Sequence, residues 1–172
     1  VFNLCVFGGL SGAGIYGAQF FGQKNDEGVR NTFRIKIWIC AILIAVFCTV
    51  FWIYGRELIS LFLSENGESV GDVGITLNYG QQYLKVMLVG TIPFAIVQIY
   101  STTLREAKTP MLPMIAGIAA VFVNLFFNYV LIFGNFGAPA MGCVGAGIAT
   151  VISRVVECVI IIGATHRSKD RF

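Results

Sequence analysis

Charge along this chain is confined to short islands between long apolar runs. The longest run, residues 109–153, holds 45 residues without a charge. About 20 apolar residues cross a bilayer, so this run is too long for one crossing and long enough for two joined by a turn. Its first part, TPMLPMIAGIAAVFVNLFFNYVLIFGNFG, starts with prolines that a first helical turn tolerates and stops at Gly134 and Gly137, which predicts a crossing over about 110–134. The remainder predicts a last crossing over about 142–165, with Arg154 and Glu157 near its middle. Upstream, a charge-free run of 23 residues predicts a crossing over about 1–22, and the 18 residues of 37–54, with Trp38, Trp52 and Tyr54 near the ends as interfacial anchors, predict another over about 35–55. A further one falls at about 83–104, where Gly90 and Pro93 are expected to kink the helix. Between the second and third crossings, the stretch RELISLFLSENGESVGDVGITLNYGQQ reads as a polar loop with a short surface helix.

Composition fits five crossings and sets the class. The chain is 56% hydrophobic and 12% charged, against roughly 25% charged in soluble domains. The expected fold is all-α and integral to the membrane, a multi-span helical bundle with the lipid bilayer as a partner. No nucleic-acid footprint is present. The five cysteines all lie in or beside apolar runs, are odd in number and form no CxxC, so they read as small packing residues. The single His166 lies beyond the last apolar run, which excludes a histidine-based metal site or triad within this chain. The chain opens without a methionine and already inside an apolar segment, so it is expected to be a fragment that starts in a helix. In that segment Gly8 and Gly12, Ala13 and Gly17, and Gly14 and Ala18 are small pairs at four-residue spacing, which let helix backbones approach closely.

The loop charges test the crossings independently, because Lys and Arg collect on the cytoplasmic side. Lys24, Arg30, Arg34 and Lys36 follow the first crossing, Arg105 and Lys108 follow the third, and Arg167, Lys169 and Arg171 follow the fifth. The alternate segments hold only Arg56 and Lys85, with Glu57, Glu65, Glu68 and Asp72 beside them. Nine basic residues on one side against two on the other predict that residues 24–36 and the C-terminal tail are cytoplasmic, in an inner or plasma membrane.

Polar groups inside the apolar runs are the candidate chemistry. Asn124 and Asn128 are four residues apart and share a helix face that is costly to turn toward lipid. At about 1.5 Å of rise per residue, Asn124 and Asn128 lie about 15 and 9 Å from the outer end at Gly134, and Thr150 lies about 12 Å from Gly142 in the antiparallel neighbour. The three therefore share one depth. Their oxygens suit a hard cation such as Na+ or a proton carrier, although a carboxylate would be wanted as well, and only Glu157 is near. The other reading is that these residues are interhelical hydrogen bonds holding the bundle together. Thr150, Arg154 and Glu157 form one helical stripe. Arg154 and Glu157 form either an intramembrane ion pair that neutralises itself or part of a route for substrate or protons. Gln98 and Tyr129 are candidate cavity-lining residues.

At these residues the chain resembles the multidrug and toxic compound extrusion (MATE) transporters. The resemblance runs through GAQFFGQKN, YLKVMLVGTIPFAIVQIYSTTLREAKTPMLPM and NLFFNYVLIFGNFGAPAMGCVGAGIATVISR, the last being the most specific. It implies a twelve-helix transporter of two six-helix lobes, with this chain matching helices two to six of the first lobe. It also implies export of organic cations or other small-molecule drugs in antiport with Na+ or H+ as coupling ion, with no other cofactor. By position, Asn124, Asn128 and Thr150 match the family's first-lobe cation site, with Asn128 where some members have an aspartate. The acidic residue of the family's first helix falls outside the chain, and the remaining transmembrane helices would be its partners. The rival readings are a lipid-linked precursor flippase of the same superfamily, a structural membrane subunit, and a membrane enzyme. The flippase should line its cavity with more basic residues than Arg154 alone, and the enzyme lacks a nucleophile with a base or a metal cluster.

This topology has a direct test. In the full-length protein in intact cells, a cysteine placed at Ser69 is expected to react with an impermeant maleimide, whereas labelling only after lysis would invert the assignment.

Overall fold

The computed structural model describes residues 2–65, 73–137 and 139–167. They form five helices, α1 (Phe2–Gly22), α2 (Asp26–Glu65), α3 (Val73–Glu106), α4 (Met111–Phe133) and α5 (Gly142–Arg167), with one 3₁₀ turn at Asn135–Gly137. Each helix is long and apolar enough to cross a membrane. The fold is therefore an all-helical, multi-span membrane bundle.

The turns between helices are built from local chemistry. Lys24 takes a left-handed backbone (φ 54°) that ends α1, and the Asn25 side-chain oxygen accepts from the Gly28 amide at 3.0 Å, capping the start of α2. Gly28 is required there, because a Cβ would lie 2.5 Å from the Phe20 ring. At the α3–α4 corner Lys108 is left-handed (φ 59°), the Thr109 amide returns to the Leu104 carbonyl at 2.9 Å, and Pro110, which has no amide to satisfy, begins α4. The α4–α5 turn uses Gly134, Phe136, Gly137 and Gly142, all at positive φ.

α2 and α3 run well past the apolar stretches at about 35–55 and 83–104. α2 starts at Asp26 and α3 at Val73, so the polar residues expected in loops are mostly helical. Arg30 and Arg34 are exposed on the first turns of α2. Charge marks where a helix leaves the hydrocarbon, not where it ends, which is why hydropathy alone shortened both. α3 passes through Pro93 without interruption. The middle of the expected loop, residues 66–72, and the tail from residue 168 lie outside the described residues.

α3 is the shared element. One face, through Ala95 and Ile99, packs with Val6, Leu10 and Cys40 of α1 and α2, and the other, through Val97 and Leu104, packs with Ala116, Cys158 and Ile161 of α4 and α5. Cys40 and Cys158 fill the two cores and all five cysteines are free thiols.

Lys36 departs most from the sequence reading, which placed it in a cytoplasmic loop. Its side chain is on α2 and completely buried. The ammonium donates to both carboxylate oxygens of Glu106, at 2.7 and 2.6 Å, and to the Thr103 hydroxyl at 3.3 Å, so all three of its protons are used. Thr103 gives its own proton to the Ile99 carbonyl, leaving its oxygen free to accept. Gly14 and Gly17 of α1 close over the carboxylate; a Cβ at Gly14 would sit 2.5 Å from Glu106 Oε1, and one at Gly17 would collide with Oε2. The glycines near the end of α1 thus make room for an ion pair between α2 and α3.

Removing one partner of such a pair strands the other charge and costs about 3–5 kcal/mol, whereas replacing both by apolar groups is far milder. In the full-length protein in detergent, Lys36→Met and Glu106→Leu singly should each lower the thermal midpoint strongly, and the double variant should recover most of the loss. A double variant that loses the sum of both would show that the two charges are not coupled.

Candidate functional site

The polar groups of α4 and α5 meet in one relay. Asn124 and Asn128 occupy the face of α4 that turns toward α5, while Phe122, Leu125, Phe126 and Tyr129 are exposed on the faces beside and behind it. The two helices approach closely because Gly145 rests on the Leu131 backbone, where a Cβ would lie 2.7 Å from the carbonyl oxygen, and the Met141 amide donates to that carbonyl at 2.9 Å.

The direction of the relay follows from where each proton goes. Thr150 donates to the Ala146 carbonyl at 2.9 Å and Ser153 to the Thr150 carbonyl at 2.8 Å, so both hydroxyl oxygens are left as acceptors. Asn124 Nδ2 donates to both of them, at 3.4 Å each. Asn124 Oδ1 then accepts from Asn128 Nδ2 at 2.9 Å. The chain of bonds ends at Asn128 Oδ1, which is buried and has no hydrogen-bond partner among the described residues. An unsatisfied buried acceptor costs about 1–3 kcal/mol. This oxygen is therefore the point of the bundle best prepared to receive a proton donor or a cation.

Arg154 and Glu157 form a second centre one turn deeper. Arg154 Nη1 donates to Glu157 Oε2 at 2.7 Å, with the arginine side chain 39% exposed and the glutamate 9%. Glu157 points toward Gly117 of α4, and the guanidinium lies 5.4 Å from the centre of the Phe94 ring. Glu157 is thus committed to Arg154, and the amide relay has no carboxylate among the described residues. A cavity of about 120 Å³ lies between α1, α3 and α5, lined by Phe2, Thr91, Phe94, Thr150 and Arg154 among others. Thr150 belongs to both the relay and the cavity wall.

The structure brings Asn124, Asn128 and Thr150 together, and places Arg154 and Glu157 beside them. Gln98 and Tyr129 do not line this cavity. The Gln98 carbonyl accepts from the Thr102 hydroxyl at 2.8 Å, and Tyr129 is 55% exposed against Phe133, on the outer side of α4. Ser153 was missed by the sequence reading, although it sits three residues after Thr150, within reach of the same face. Among the described residues no three His, Cys, Asp or Glu side chains gather into a metal site. The donors available to a cation are neutral amide and hydroxyl oxygens, which suit a hard monovalent ion.

Comparison with known proteins bears on the whole chain. The MatE family model matches residues 1–130, a span that includes Asn124 and Asn128. The probable multidrug resistance protein NorM of Thermotoga maritima is 32% identical over 161 residues, covering 94% of this chain and 33% of that protein. Its counterpart in Bacillus licheniformis is 25% identical over 151 residues, covering 87% of this chain and 31% of that protein. The chain thus spans about a third of the length of these curated relatives. Among solved structures, the inward-facing conformation of a multidrug resistance MATE family transporter of the MOP superfamily matches with a TM-score of 0.79 at 21% identity, over 97% of this chain and 36% of that one, and so shares its fold. With the family model matched across three quarters of its length, this chain belongs to the MatE family.

Proposed function

We propose that this chain is part of a secondary active multidrug exporter, which moves organic cations or other drugs outward in exchange for Na+ or H+. The observation that carries the reading is the buried, unpaired Asn128 Oδ1 at the end of the α4–α5 relay. The relatives named as multidrug resistance proteins support the drug as cargo. A coupling ion arriving at Asn128 would take that oxygen first. Drawing in Asn124 Oδ1 and Thr150 Oγ1 as well would cost their bonds to Asn128 Nδ2 and Asn124 Nδ2. Ion binding would thereby loosen α4 from α5. That differential cost is what lets an ion gradient bias one state of the lobe over another.

The flippase alternative gains no support from the cavity between α1, α3 and α5, because Arg154 is the single basic residue that lines it. On the same reading the protein would sit in the plasma membrane. Antiparallel connection brings Lys24, Arg30, Arg34, Arg105, Lys108 and Arg167 to one end of the bundle, all exposed, and this end would be the cytoplasmic one.

The test is ion-gradient-driven efflux of an organic cation dye by the full-length protein, at matched expression. Losing one ligand oxygen, at about 1 kcal/mol, should raise the half-saturating ion concentration several-fold in Asn128→Ala and Thr150→Ala, with dye affinity less affected. Asn128→Asp should strengthen cation binding or shift it toward protons. Leu125→Ala, 66% exposed on a face of α4 beside the asparagines, is the packing control. Unchanged ion dependence in both alanine variants would make the relay a purely structural contact.

A further inference from the structure

Arg56 and Lys85, the two basic residues of the segments poor in positive charge, line one groove between α2 and α3. Helix rise fixes their level. Lys36 is bonded to Glu106 at one end of the two helices; Arg56 lies 20 residues further along α2, and Lys85 lies 21 residues back along α3, which continues through Pro93 unbroken. At about 1.5 Å per residue, both stand about 30 Å from the Lys36–Glu106 pair, which is one hydrocarbon thickness. The groove therefore lies at the headgroup boundary of the leaflet opposite Lys24, Arg105 and Arg167.

Its chemistry changes with depth. Trp52, one turn inward of Arg56, and Leu88, about one turn inward of Lys85, form an apolar wall on the hydrocarbon side, and Gln81, one turn outward of Lys85, adds an amide. Gly55 lets α2 and α3 close beneath the groove, where a Cβ would meet Leu84 at 3.4 Å. Both cations are exposed, and no carboxylate lines the groove among the described residues. The ion pairs among the described residues, Lys36–Glu106 and Arg154–Glu157, lie elsewhere. Two like charges on an apolar wall focus their field on an anion. At about 270 Å³ the groove is larger than the roughly 150 Å³ that holds benzene, which leaves room for a phosphodiester and its glycerol.

We propose that this groove binds an anionic glycerophospholipid of that leaflet, with the phosphate between Arg56 and Lys85, the headgroup hydroxyls at Gln81 and the acyl chains along Trp52 and Leu88. Going inward, the groove offers an amide, two cations and an apolar wall, which is the order of headgroup, phosphate and acyl chain in such a lipid. A soluble anion matches only the middle of that series. A zwitterionic lipid brings its own cation beside the phosphate and leaves the two protein charges unbalanced. Bound there, the lipid joins α2 to α3 at the end far from the Lys36–Glu106 pair, so that a charge contact holds the two helices at each boundary of the membrane. The proposal depends on the depth of the groove and not on the export reading.

The experiment measures, by native mass spectrometry of the full-length protein in detergent, the binding of dioleoyl phosphatidylglycerol and of dioleoyl phosphatidylcholine. Wild type should prefer phosphatidylglycerol by about tenfold or more. Arg56→Gln and Lys85→Gln should each lower phosphatidylglycerol binding about fivefold and leave phosphatidylcholine unchanged, and the double variant should erase the preference. Arg30→Gln, the same loss of charge at the other end of α2, should have no effect, and an excess of glycerol phosphate should not displace the lipid. Equal binding of the two lipids by wild type would overturn the proposal, a result that depends on no variant. So would a loss in Arg30→Gln as large as in Arg56→Gln, which would reduce the effect to overall charge. Displacement by glycerol phosphate would make the groove a site for soluble anions and overturn the lipid as its occupant.

Discussion

A bundle in hydrocarbon must satisfy every polar group from within, and in this chain the strictest instance is the Lys36–Glu106 pair. A fully buried ammonium with its three protons placed on two carboxylate oxygens and one hydroxyl fixes the spacing of α2 and α3. The pair also fixes α1, because only residues without a side chain fit over the carboxylate, at Gly14 and Gly17. Three helices are thereby held by one charge contact whose loss on either side is expensive. α3, clamped on that side, presents its opposite face to α4 and α5.

The α4–α5 half is joined differently. Gly145 lies on the Leu131 backbone, Gly90 of α3 receives the Val151 side chain and Gly147 the Tyr83 ring, so the helices approach closely at each glycine. Against that close packing the polar relay is soft. Its two outer bonds are 3.4 Å long and its last oxygen has no partner. An ion pair that uses every proton resists rearrangement, whereas a chain of neutral bonds ending in an acceptor unpaired among the described residues has an alternative arrangement within reach. This contrast is the physical basis for proposing exchange chemistry at Asn128 and not at Lys36.

Much of this was legible in the residue pattern. Five crossings follow from charge-free runs because hydrocarbon excludes charge from lipid-facing positions, and the shared depth of Asn124, Asn128 and Thr150 follows from helix rise alone. The family resemblance read from the Asn124 to Arg154 block agrees with the family to which the chain belongs. Lys36 was misread because a lysine just before an apolar run looks the same whether it reaches water or a carboxylate seventy residues on; the signal was Glu106, an acid at the matching end of α3. Ser153 escaped notice since a serine i+3 from Thr150 gains meaning only once α4 is placed beside it. The placing of Gln98 and Tyr129 depends on helix rotation, which polarity at a single position does not fix.

On the proposed mechanism the ion is received at the Asn124–Asn128 amide pair. In full-length protein with ¹⁵N-labelled asparagine, the side-chain amide signals of these two residues, assigned by their loss in Asn128→Asp and Asn124→Asp, can be followed as Na+ or pH is titrated. Saturable shifts of both signals are expected, with a midpoint equal to that of ion-dependent efflux. Efflux that responds to the ion while both amide signals stay fixed would contradict it.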